Sequence, residues 1–461
     1  MGHLLRLTCE HALEFRRSLT DRPVGAQADL QELRRTLSVP LPVVGEDPVR
    51  VIEELVRNVE PGLIAESGPR FFGFVIGGSS EVSVAADWLT TAWDQNAGLY
   101  ATSPALAVVE ETTARWVLEL LGLPPESGVG FVTGCQMANF TCLAAARGEL
   151  LRRVGWNVEE DGLQGAPPLH VVVGEEVHVT VLRALRFLGL GSARVRKVPA
   201  DGQGRMVPSA LHEALAQFEG PAIVCAQAGN VNTGACDPLA AIAEACEARG
   251  AWLHVDGAFG LWAAATPALK HLLDGVARAD SWATDAHKWL NVPYDSGLAI
   301  VKDPCAHRSA MAAKAAYLMQ QEGAARDAVD WVPEFSRRAR GFPLYAQLRA
   351  LGWSGIAALV ERSCGLARRA AKGFAAIPGA TILNEVTLNQ VLVRFTPADG
   401  GSADAFTSRV VERVQRGGTC WLSGSSWKGL GVMRFSICGQ DTVEEDIDRS
   451  VAAVAAAVIG A

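Results

Sequence analysis

Two short stretches decide the fold of this chain: Trp252-Leu253-His254-Val255-Asp256-Gly257-Ala258 and Asp285-Ala286-His287-Lys288-Trp289. The first is an apolar run that ends at a carboxylate followed by small residues, which is typical of a buried parallel strand that delivers an acid to its carboxyl end. The second follows another short apolar run, residues 281–284, and places an aspartate, a histidine and a lysine on its exit loop. This clustering of ionisable groups predicts a functional site.

The composition indicates a large globular protein that acts on small molecules. With 461 residues the chain can form at least two domains. Apolar residues make up 49% and charged residues 20%, and the net charge of −8 includes no basic block. This balance argues against a surface for nucleic acid or anionic membrane. The ten cysteines include no C-x-x-C pair, which favours reduced core thiols over a disulfide framework or a zinc site.

The two ends of the chain carry no targeting or membrane signal that we can identify. Residues 1–14 mix charged residues with leucines and lack the apolar centre of a signal peptide. The apolar run 451–461 is too short to span a bilayer. We therefore expect a cytoplasmic protein without a membrane partner.

The order of helical and strand-like segments predicts an α/β fold in three parts. Residues 1–85 read as a helical N-terminal arm, broken near Asp21-Arg22-Pro23 and Pro40-Leu41-Pro42, followed by a pocket segment. Residues 86–340 form the large domain, in which strands and helices alternate and predict a mostly parallel sheet with helices on both faces. Residues 341–461 form a small α+β domain. The predicted elements of the large domain are strands 130–133, 170–173, 222–226 and 252–255 and helices 136–152, 177–188 and 238–249.

Three further sequence features support this division or add to the predicted site. Asp237 is the expected N-cap of the helix that begins at Pro238, and Gly250 its expected end. Gly134-Cys135-Gln136 ends a strand and opens a helix, so its backbone N–H groups suit an anion such as phosphate. His178 follows another strand end, on the sheet edge shared by Asp256 and Lys288.

An acid, a lysine, a histidine and a phosphate cradle together indicate pyridoxal 5′-phosphate (PLP). A lysine amine forms a Schiff base with the PLP aldehyde, and a buried carboxylate keeps the pyridine nitrogen protonated so that the ring accepts electrons. The set of residues is more specific than any one of them.

The chain resembles the group II PLP-dependent amino-acid decarboxylases, the family of aromatic amino-acid decarboxylase and glutamate decarboxylase-like enzymes. The resemblance rests on Asp285-Ala286-His287-Lys288-Trp289, on His254-Val255-Asp256, on Pro69-Arg70-Phe71-Phe72-Gly73 and on Met433-Arg434-Phe435-Ser436. It implies the aspartate-aminotransferase fold (fold type I) and a homodimer with active sites at the subunit interface. It also implies decarboxylation of an L-amino acid to the amine and carbon dioxide.

Site residues follow from the same resemblance. Lys288 is implied to form the Schiff base and Asp256 to pair with the pyridine nitrogen. His178 is implied to stack on the cofactor, and Tyr317 falls where the family keeps the mobile-loop tyrosine that reprotonates the substrate carbon. The other residues implied to contact the cofactor are Cys135, Gln136, Ala258, Asp285 and His287.

Departures from the family pattern keep the substrate open. Val231 stands where aromatic amino-acid decarboxylase has a threonine near the phenolic oxygen of the cofactor. Residues 74–77, which include the candidate substrate contacts Phe74 and Gly77, replace a more aromatic run. Arg434 is a candidate anchor for a carboxylate or phosphate, or else a structural ion-pair partner, and Trp427 is a candidate pocket wall or else a core residue.

Two other functions remain open at this point. Another PLP reaction on the same scaffold, namely a C–C lyase, an aldehyde synthase or an aminotransferase, uses Lys288, Asp256 and His178 but has no special need of Tyr317. A non-catalytic binding protein on the same fold has no need of the lysine.

Overall fold

The computed structural model describes residues 2–312 and 326–461. These residues form two compact units. The smaller unit comprises Met1–Gly78, Leu366–Leu383 and Val391–Ala461, and the larger unit comprises Ser79–Gly365 and Asn384–Gln390.

The larger unit alternates helices and strands over most of its length. Its elements are α4 (Glu81–Trp93), α5 (Pro104–Leu121), β1 (Gly128–Val132), α6 (Cys135–Arg153), α7 (Val158–Asp161), β2 (His170–Gly174), α8 (Val179–Phe187), β3 (Arg196–Val198), α9 (Pro208–Ala216), β4 (Ala222–Gln227), α10 (Leu239–Arg249), β5 (Trp252–Asp256), β6 (Ser281–Asp285), β7 (Gly297–Val301) and α11 (Pro304–Met311), followed by the start of α12 (Gly341–Ala375), which is kinked at Gly352. The predicted alternation is therefore confirmed.

Seven of these strands form one sheet, in the order β1-β7-β6-β5-β4-β2-β3. The pairs from β6 through β5, β4 and β2 to β3 are parallel, whereas β7 runs antiparallel to both of its neighbours. The sheet is therefore mostly parallel, as predicted. The carboxyl ends of β5, β6 and β1 lie on one edge, because β1 and β6 both run opposite to β7.

Helix α6 is the central packing element behind this edge. It lies against β5, β6 and β7, and its small buried side chains, such as Ala138, Ala144 and Ala145, allow the helix to approach the sheet closely. The first turn of α6 thereby comes to the carboxyl ends of the strands, where its N–H groups point toward the site.

The smaller unit contains the predicted N-terminal helices and an antiparallel sheet. Its elements are α1 (Gly2–Ser18), α2 (Leu30–Leu37), α3 (Pro48–Val59), β8 (Ala380–Ile382), β9 (Gln390–Phe395), α13 (Ala403–Gly417), β10 (Ser423–Trp427), β11 (Leu430–Ser436) and α14 (Glu444–Ile459). The strands follow the order β10-β11-β9-β8. The breaks predicted at residues 21–23 and 40–42 both fall between helices, which confirms a helical arm.

Two details differ from the expectations. Asp237 does not cap α10: it is buried, and its two oxygens accept the backbone N–H groups of Met206 and Gln227, both at 2.7 Å. Pro238 occupies the N-cap position instead, while Gly250 ends the helix with φ 65° as predicted.

Residues 341–365 pack within the larger unit rather than the smaller one. The three-part division by residue number stays a prediction.

Burial of the cysteines agrees with their predicted place in the core. Seven of the ten are buried, namely Cys135, Cys142, Cys225, Cys246, Cys364, Cys420 and Cys438.

Within the described ranges, no helix is both long and apolar enough to cross a membrane.

Candidate active site

The site forms where two neighbouring parallel strands end in carboxylates. Asp256 is the last residue of β5 and Asp285 the last residue of β6. Backbone hydrogen bonds continue past the strand ends, since Gly257 N–H donates to Ala283 O and Asp285 N–H to Ala258 O, both at 2.9 Å. The two exit loops therefore lie side by side, and Ala258 lies between the carboxylates.

Lys288 forms an ion pair with Asp285. Its Nζ lies 3.1 Å from Asp285 Oδ2, with the lysine side chain 21% exposed and the aspartate side chain 3% exposed. Burial is the largest single influence on the pKa of Lys288 and lowers it, but the charge of Asp285, the nearby Cys135 and Asp256, and the hydrogen bond to Asp285 together outweigh burial, and the pKa lies above its usual value of 10.5. Lys288 is thus protonated at neutral pH and is held in place by the Asp285 carboxylate.

The second oxygen of Asp285 holds two further groups in place. Oδ1 accepts the Cys135 N–H at 2.5 Å and lies 3.3 Å from His287 Nε2. His287 Nδ1 accepts the Ser296 N–H at 3.1 Å, so the ring proton of the neutral histidine is on Nε2 and faces Asp285. Burial lowers the pKa of His287, although the charge of Asp285 opposes this effect. Asp285 therefore connects β6, the first turn of α6 and the predicted Schiff-base lysine.

Asp256 is a buried carboxylate surrounded by neutral donors. It is 5% exposed, and it accepts hydrogen bonds from Cys135 Sγ at 3.3 Å, Asn139 Nδ2 at 3.3 Å and Ala258 N–H at 3.2 Å. Burial and the charge of Asp256 raise the pKa of the Cys135 thiol well above its usual value of 9.0, so the thiol keeps its proton and donates it. No lysine, arginine or histidine side chain in the described ranges forms an ion pair with Asp256.

His178 caps the helix that follows β2, on the same sheet edge. Its Nδ1 accepts the Thr180 N–H as the N-cap of α8 and lies 2.8 Å from Thr180 Oγ1. Thr180 also accepts two hydrogen bonds from α6. Asn139 Nδ2 donates to its hydroxyl oxygen at 3.3 Å, and Gln136 Nε2 donates to its carbonyl oxygen at 3.2 Å. The structure thus links His178 to the first turn of α6.

Two glycines, Gly134 at the β1–α6 turn and Gly297 at the start of β7, allow close packing around these groups. A side chain at Gly134 would place its Cβ 2.9 Å from His287 Cε1 and 3.4 Å from Asp285 Oδ1. A side chain at Gly297, the residue paired with Asp285 on β7, would collide with the backbone of Gly134. Both positions therefore require glycine for close packing around the turn.

These features fit PLP. A negative charge without a cationic partner is costly to bury, and a protonated pyridine nitrogen would supply the missing positive charge at Asp256. Lys288 would hold the aldehyde carbon. Cys135 N–H is directed to Asp285 in this structure, so the predicted phosphate contacts of Cys135 and Gln136 stay predictions.

The other predicted residues come from other segments of the chain. Tyr317 falls outside the described residues. Phe74 and Gly77 belong to the smaller unit, where Phe74 is 57% exposed and its ring lies 5.2 Å from that of Trp421. Val231 follows Asn230, whose side chain accepts the N–H groups at 232 and 233.

Two late residues of the chain are buried in the smaller unit. Trp427 is 3% exposed and packs with Leu392 and Val432, in agreement with the interpretation as a core residue. Arg434 is 7% exposed, and burial lowers its pKa to about 10. A substrate contact of either residue stays a prediction.

Asn139 and Thr180 are the site residues that the sequence reasoning missed. Asn139 lies one helical turn after Cys135 and so shares its face of α6. Thr180 is two residues after His178, the position from which a backbone N–H reaches an N-cap side chain. The sequence shows these spacings, but it does not show that Asn139 bonds to Asp256 and His254 on β5.

Comparison with known proteins places the chain in a family. Residues 31–396 match the family described as pyridoxal-dependent decarboxylase conserved domain. The acidic amino acid decarboxylase GADL1 of Mus musculus is 32% identical over 375 residues, which cover 80% of this chain and 67% of that protein. An aromatic-L-amino-acid decarboxylase of Bacillus atrophaeus is 27% identical over 438 residues, which cover 93% of this chain and 89% of that protein.

The fold agrees with this assignment. The crystal structure of Oryza sativa TDC with PLP and tryptamine matches with a TM-score of 0.92 at 24% sequence identity, covering 99% of this chain and 97% of that chain. This likeness confirms the predicted fold type I. The chain belongs to the pyridoxal-dependent decarboxylase family and is a PLP-dependent carboxy-lyase.

Proposed function

We propose that this protein decarboxylates an L-amino acid to the corresponding amine and carbon dioxide, with Lys288 as the residue that holds PLP covalently. The observation that carries the proposal is the pairing of Lys288 Nζ with Asp285 at 3.1 Å, on the sheet edge where Asp256 ends the adjacent strand. A lysine and an unpaired buried carboxylate on neighbouring strand ends are the two protein groups that PLP chemistry requires.

Asp256 contributes electrostatic stabilisation. When bound, PLP supplies an electron-accepting ring that takes up the electron pair left as the carboxylate departs as carbon dioxide. Asp256 presents a fixed negative charge in a buried surrounding, where a charge-assisted hydrogen bond is stronger than in water. Because its position is set before the reaction, the charge needs no rearrangement as the transition state forms.

Asp285 holds the Lys288 amine in position through their ion pair. A protonated amine is not a nucleophile, so Lys288 must lose its proton before it attacks an aldehyde. Asp285 Oδ2 lies 3.1 Å from Nζ and holds the amine in place, but its charge favours the protonated form of Lys288, so the proton must pass to a base other than this carboxylate. The same contact holds the freed lysine amine at the site after substrate has entered.

His178 and Tyr317 are the proposed proton donors to the substrate carbon. Because His178 Nδ1 accepts from Thr180, a neutral His178 carries its proton on Nε2. Tyr317 enters the proposal through the family resemblance alone.

We infer that the chain acts as a cytoplasmic homodimer. The N-terminal helices and their connections expose apolar side chains: Leu41 is 93% exposed, Val44 is 79% exposed, and Val43 is fully exposed. Exposed apolar side chains that cluster in one segment are typical of a surface that a second subunit covers. Sedimentation equilibrium should give a dimer, and a monomer over the whole concentration range would contradict the inference.

A panel of amino acids tests the proposed reaction. Acidic and aromatic L-amino acids are incubated with PLP-loaded protein, and carbon dioxide and organic product are measured together. We expect equal amounts of carbon dioxide and amine from at least one substrate, and loss of both in Lys288→Ala. Lys302→Ala, which changes an exposed lysine of the same unit, is the matched control. An aldehyde, a keto acid or glycine as the main product would refute simple decarboxylation.

A further inference from the structure

A continuous series of buried hydrogen bonds reaches Asp256 from the interior of the protein. Trp252 Nε1 donates to Ser281 Oγ at 2.9 Å, and Ser281 Oγ lies 2.9 Å from His254 Nδ1. His254 Nε2 lies 2.8 Å from Asn139 Oδ1, and Asn139 Nδ2 donates to Asp256 Oδ2 at 3.3 Å. We refer to these five residues as the Asn139 network.

The donors and acceptors of the network can be ordered in one direction. The Ser281 oxygen receives the indole N–H, and its own hydrogen is then available for His254 Nδ1. A neutral His254 carries its proton on Nε2 and donates it to the Asn139 oxygen. That contact turns the amide nitrogen of Asn139 toward Asp256.

Burial favours the uncharged form of His254, the one titratable residue of the network that precedes Asp256. Ser281, His254 and Asn139 are all 0% exposed. Burial lowers the pKa of His254 to about 4, although the charge of Asp256 opposes this effect. His254 is therefore uncharged at neutral pH, and Asp256 is the one member that carries a formal charge.

Asn139 satisfies all of its polar atoms at once. Its oxygen accepts from His254, and its nitrogen lies 3.3 Å from both Asp256 Oδ2 and Thr180 Oγ1. Thr180 in turn holds His178 Nδ1 at 2.8 Å. A single buried amide thus connects the carboxylate and the histidine that we propose to contact the cofactor.

We propose that Asn139 is a positioning residue that orients the Asp256 carboxylate toward the ring nitrogen of PLP, and that His254 fixes the direction of the Asn139 amide. This inference rests on the proposed function. In strand β5, His254 and Asp256 point to the same face, because side chains two residues apart do so. Asn139 on α6 spans the gap between them, so rotation of the carboxylate would break its bond to a buried donor.

The test measures the bound cofactor and the stability of the cofactor-free protein. Asn139→Leu keeps a similar volume and removes every hydrogen bond of the amide. Thr141→Val is the matched control: Thr141 lies on the same helix, is 0% exposed, and bonds only to Met137 O within the helix in the described structure. The readouts are the dissociation constant of PLP, the ¹⁵N chemical shift of the ring nitrogen in ¹⁵N-labelled PLP, and the melting temperature of the cofactor-free protein.

We expect Asn139→Leu to weaken PLP binding about tenfold, since a hydrogen bond to a charged group is lost. The ¹⁵N shift should move toward the value of an unprotonated ring, and Thr141→Val should leave both readouts at their wild-type values. A lower melting temperature for Asn139→Leu with PLP affinity and ¹⁵N shift equal to those of Thr141→Val would overturn the inference and leave Asn139 with a structural role only.

A second pair of variants decides the question if Asn139→Leu does not fold. His254→Gln retains an amide N–H that can donate to Asn139, whereas His254→Leu does not. We expect His254→Leu to shift both cofactor readouts in the same direction as Asn139→Leu and His254→Gln to restore them. Wild-type values in both variants would overturn the inference. Failure of the wild-type protein to bind PLP, or equal binding by Lys288→Ala, would instead refute the proposed function.

Discussion

Replacing Asp285 by asparagine should destabilise the cofactor-free protein in a way that depends on pH. Asparagine keeps the shape of the side chain and can still accept the Cys135 N–H, but it removes the charge 3.1 Å from Lys288 Nζ. At that distance two unit charges attract by roughly 5 kcal/mol if the effective dielectric constant is about 20. Because Lys288 is partly exposed and can lose its proton, we expect a net loss of about 2–3 kcal/mol near neutral pH.

The direction of the pH dependence follows from the pKa of Lys288. In the wild type this pKa lies above 10.5, so the stabilisation is fully present below pH 10.5 and is lost only as the pH rises through the folded-state pKa. In Asp285→Asn, the opposing charge of Asp285 is lost, so burial, which is already the largest single influence, lowers the pKa of Lys288 below 10.5. The protonated lysine then destabilises the variant, and the loss should shrink as the pH rises toward 10.5.

Denaturant unfolding of both proteins between about pH 7 and pH 10 measures this difference. Asp295→Asn is the control, because Asp295 Oδ1 lies 2.6 Å from Arg340 Nε and arginine does not titrate in this range. The control should lose a constant amount of stability. An Asp285→Asn variant as stable as the wild type at neutral pH, or with a loss that stays constant up to pH 10, would refute the reasoning.

Three further predictions concern packing, a buried ion pair and a buried acid. Gly297→Ala should lower the unfolding free energy by about 1–3 kcal/mol and weaken PLP binding, because the added methyl group collides with Gly134; thermal unfolding and PLP titration measure both. Glu110→Gln should cost about 3–5 kcal/mol in denaturant unfolding, because Glu110 and Arg337 form a fully buried pair at 2.8 Å. Burial raises the pKa of Asp237 from 3.8 to about 6, so its contribution to stability is lost as the pH rises through that range; Asp237→Asn should lack this slope in unfolding free energy.

Matched variants separate these effects from general damage. Gly424→Ala adds a methyl group whose nearest neighbour is 4.0 Å away and should be tolerated. Asp448→Asn removes an exposed partner of Arg369 and should leave stability nearly unchanged. Equal losses in Gly297→Ala and Gly424→Ala, or in Glu110→Gln and Asp448→Asn, would contradict the packing and ion-pair arguments. If Asp237→Asn shows the same pH dependence of unfolding free energy as the wild type, the argument about the buried acid is contradicted.

The sheet edge could be predicted from the sequence because its signals are local. An apolar run that stops at Asp256, and another that stops at Asp285, mark strand ends without reference to the rest of the chain. The antiparallel direction of β7 could not be predicted, since a continuous apolar run such as residues 297–301 looks the same in either direction.

Contacts between distant segments explain what the sequence did not show. The bond between Asn139 and His254 joins residues 115 positions apart and exists only once α6 has packed on the sheet. Asp237 looked like a helix cap because caps are local, yet Met206 and Gln227 supply its donors from other elements. In both cases tertiary donors and acceptors decide the role of a polar side chain, and one-dimensional patterns do not contain them.

The most direct test of the account is to locate the cofactor on the chain. PLP-loaded protein is reduced with borohydride, which fixes the pyridoxyl group on the lysine that holds it, and the digest is mapped by mass spectrometry. We predict that the modification lies on Lys288 and is absent from Lys288→Ala. Stoichiometric labelling of another lysine, or no labelling of a protein that binds PLP, would contradict the central claim.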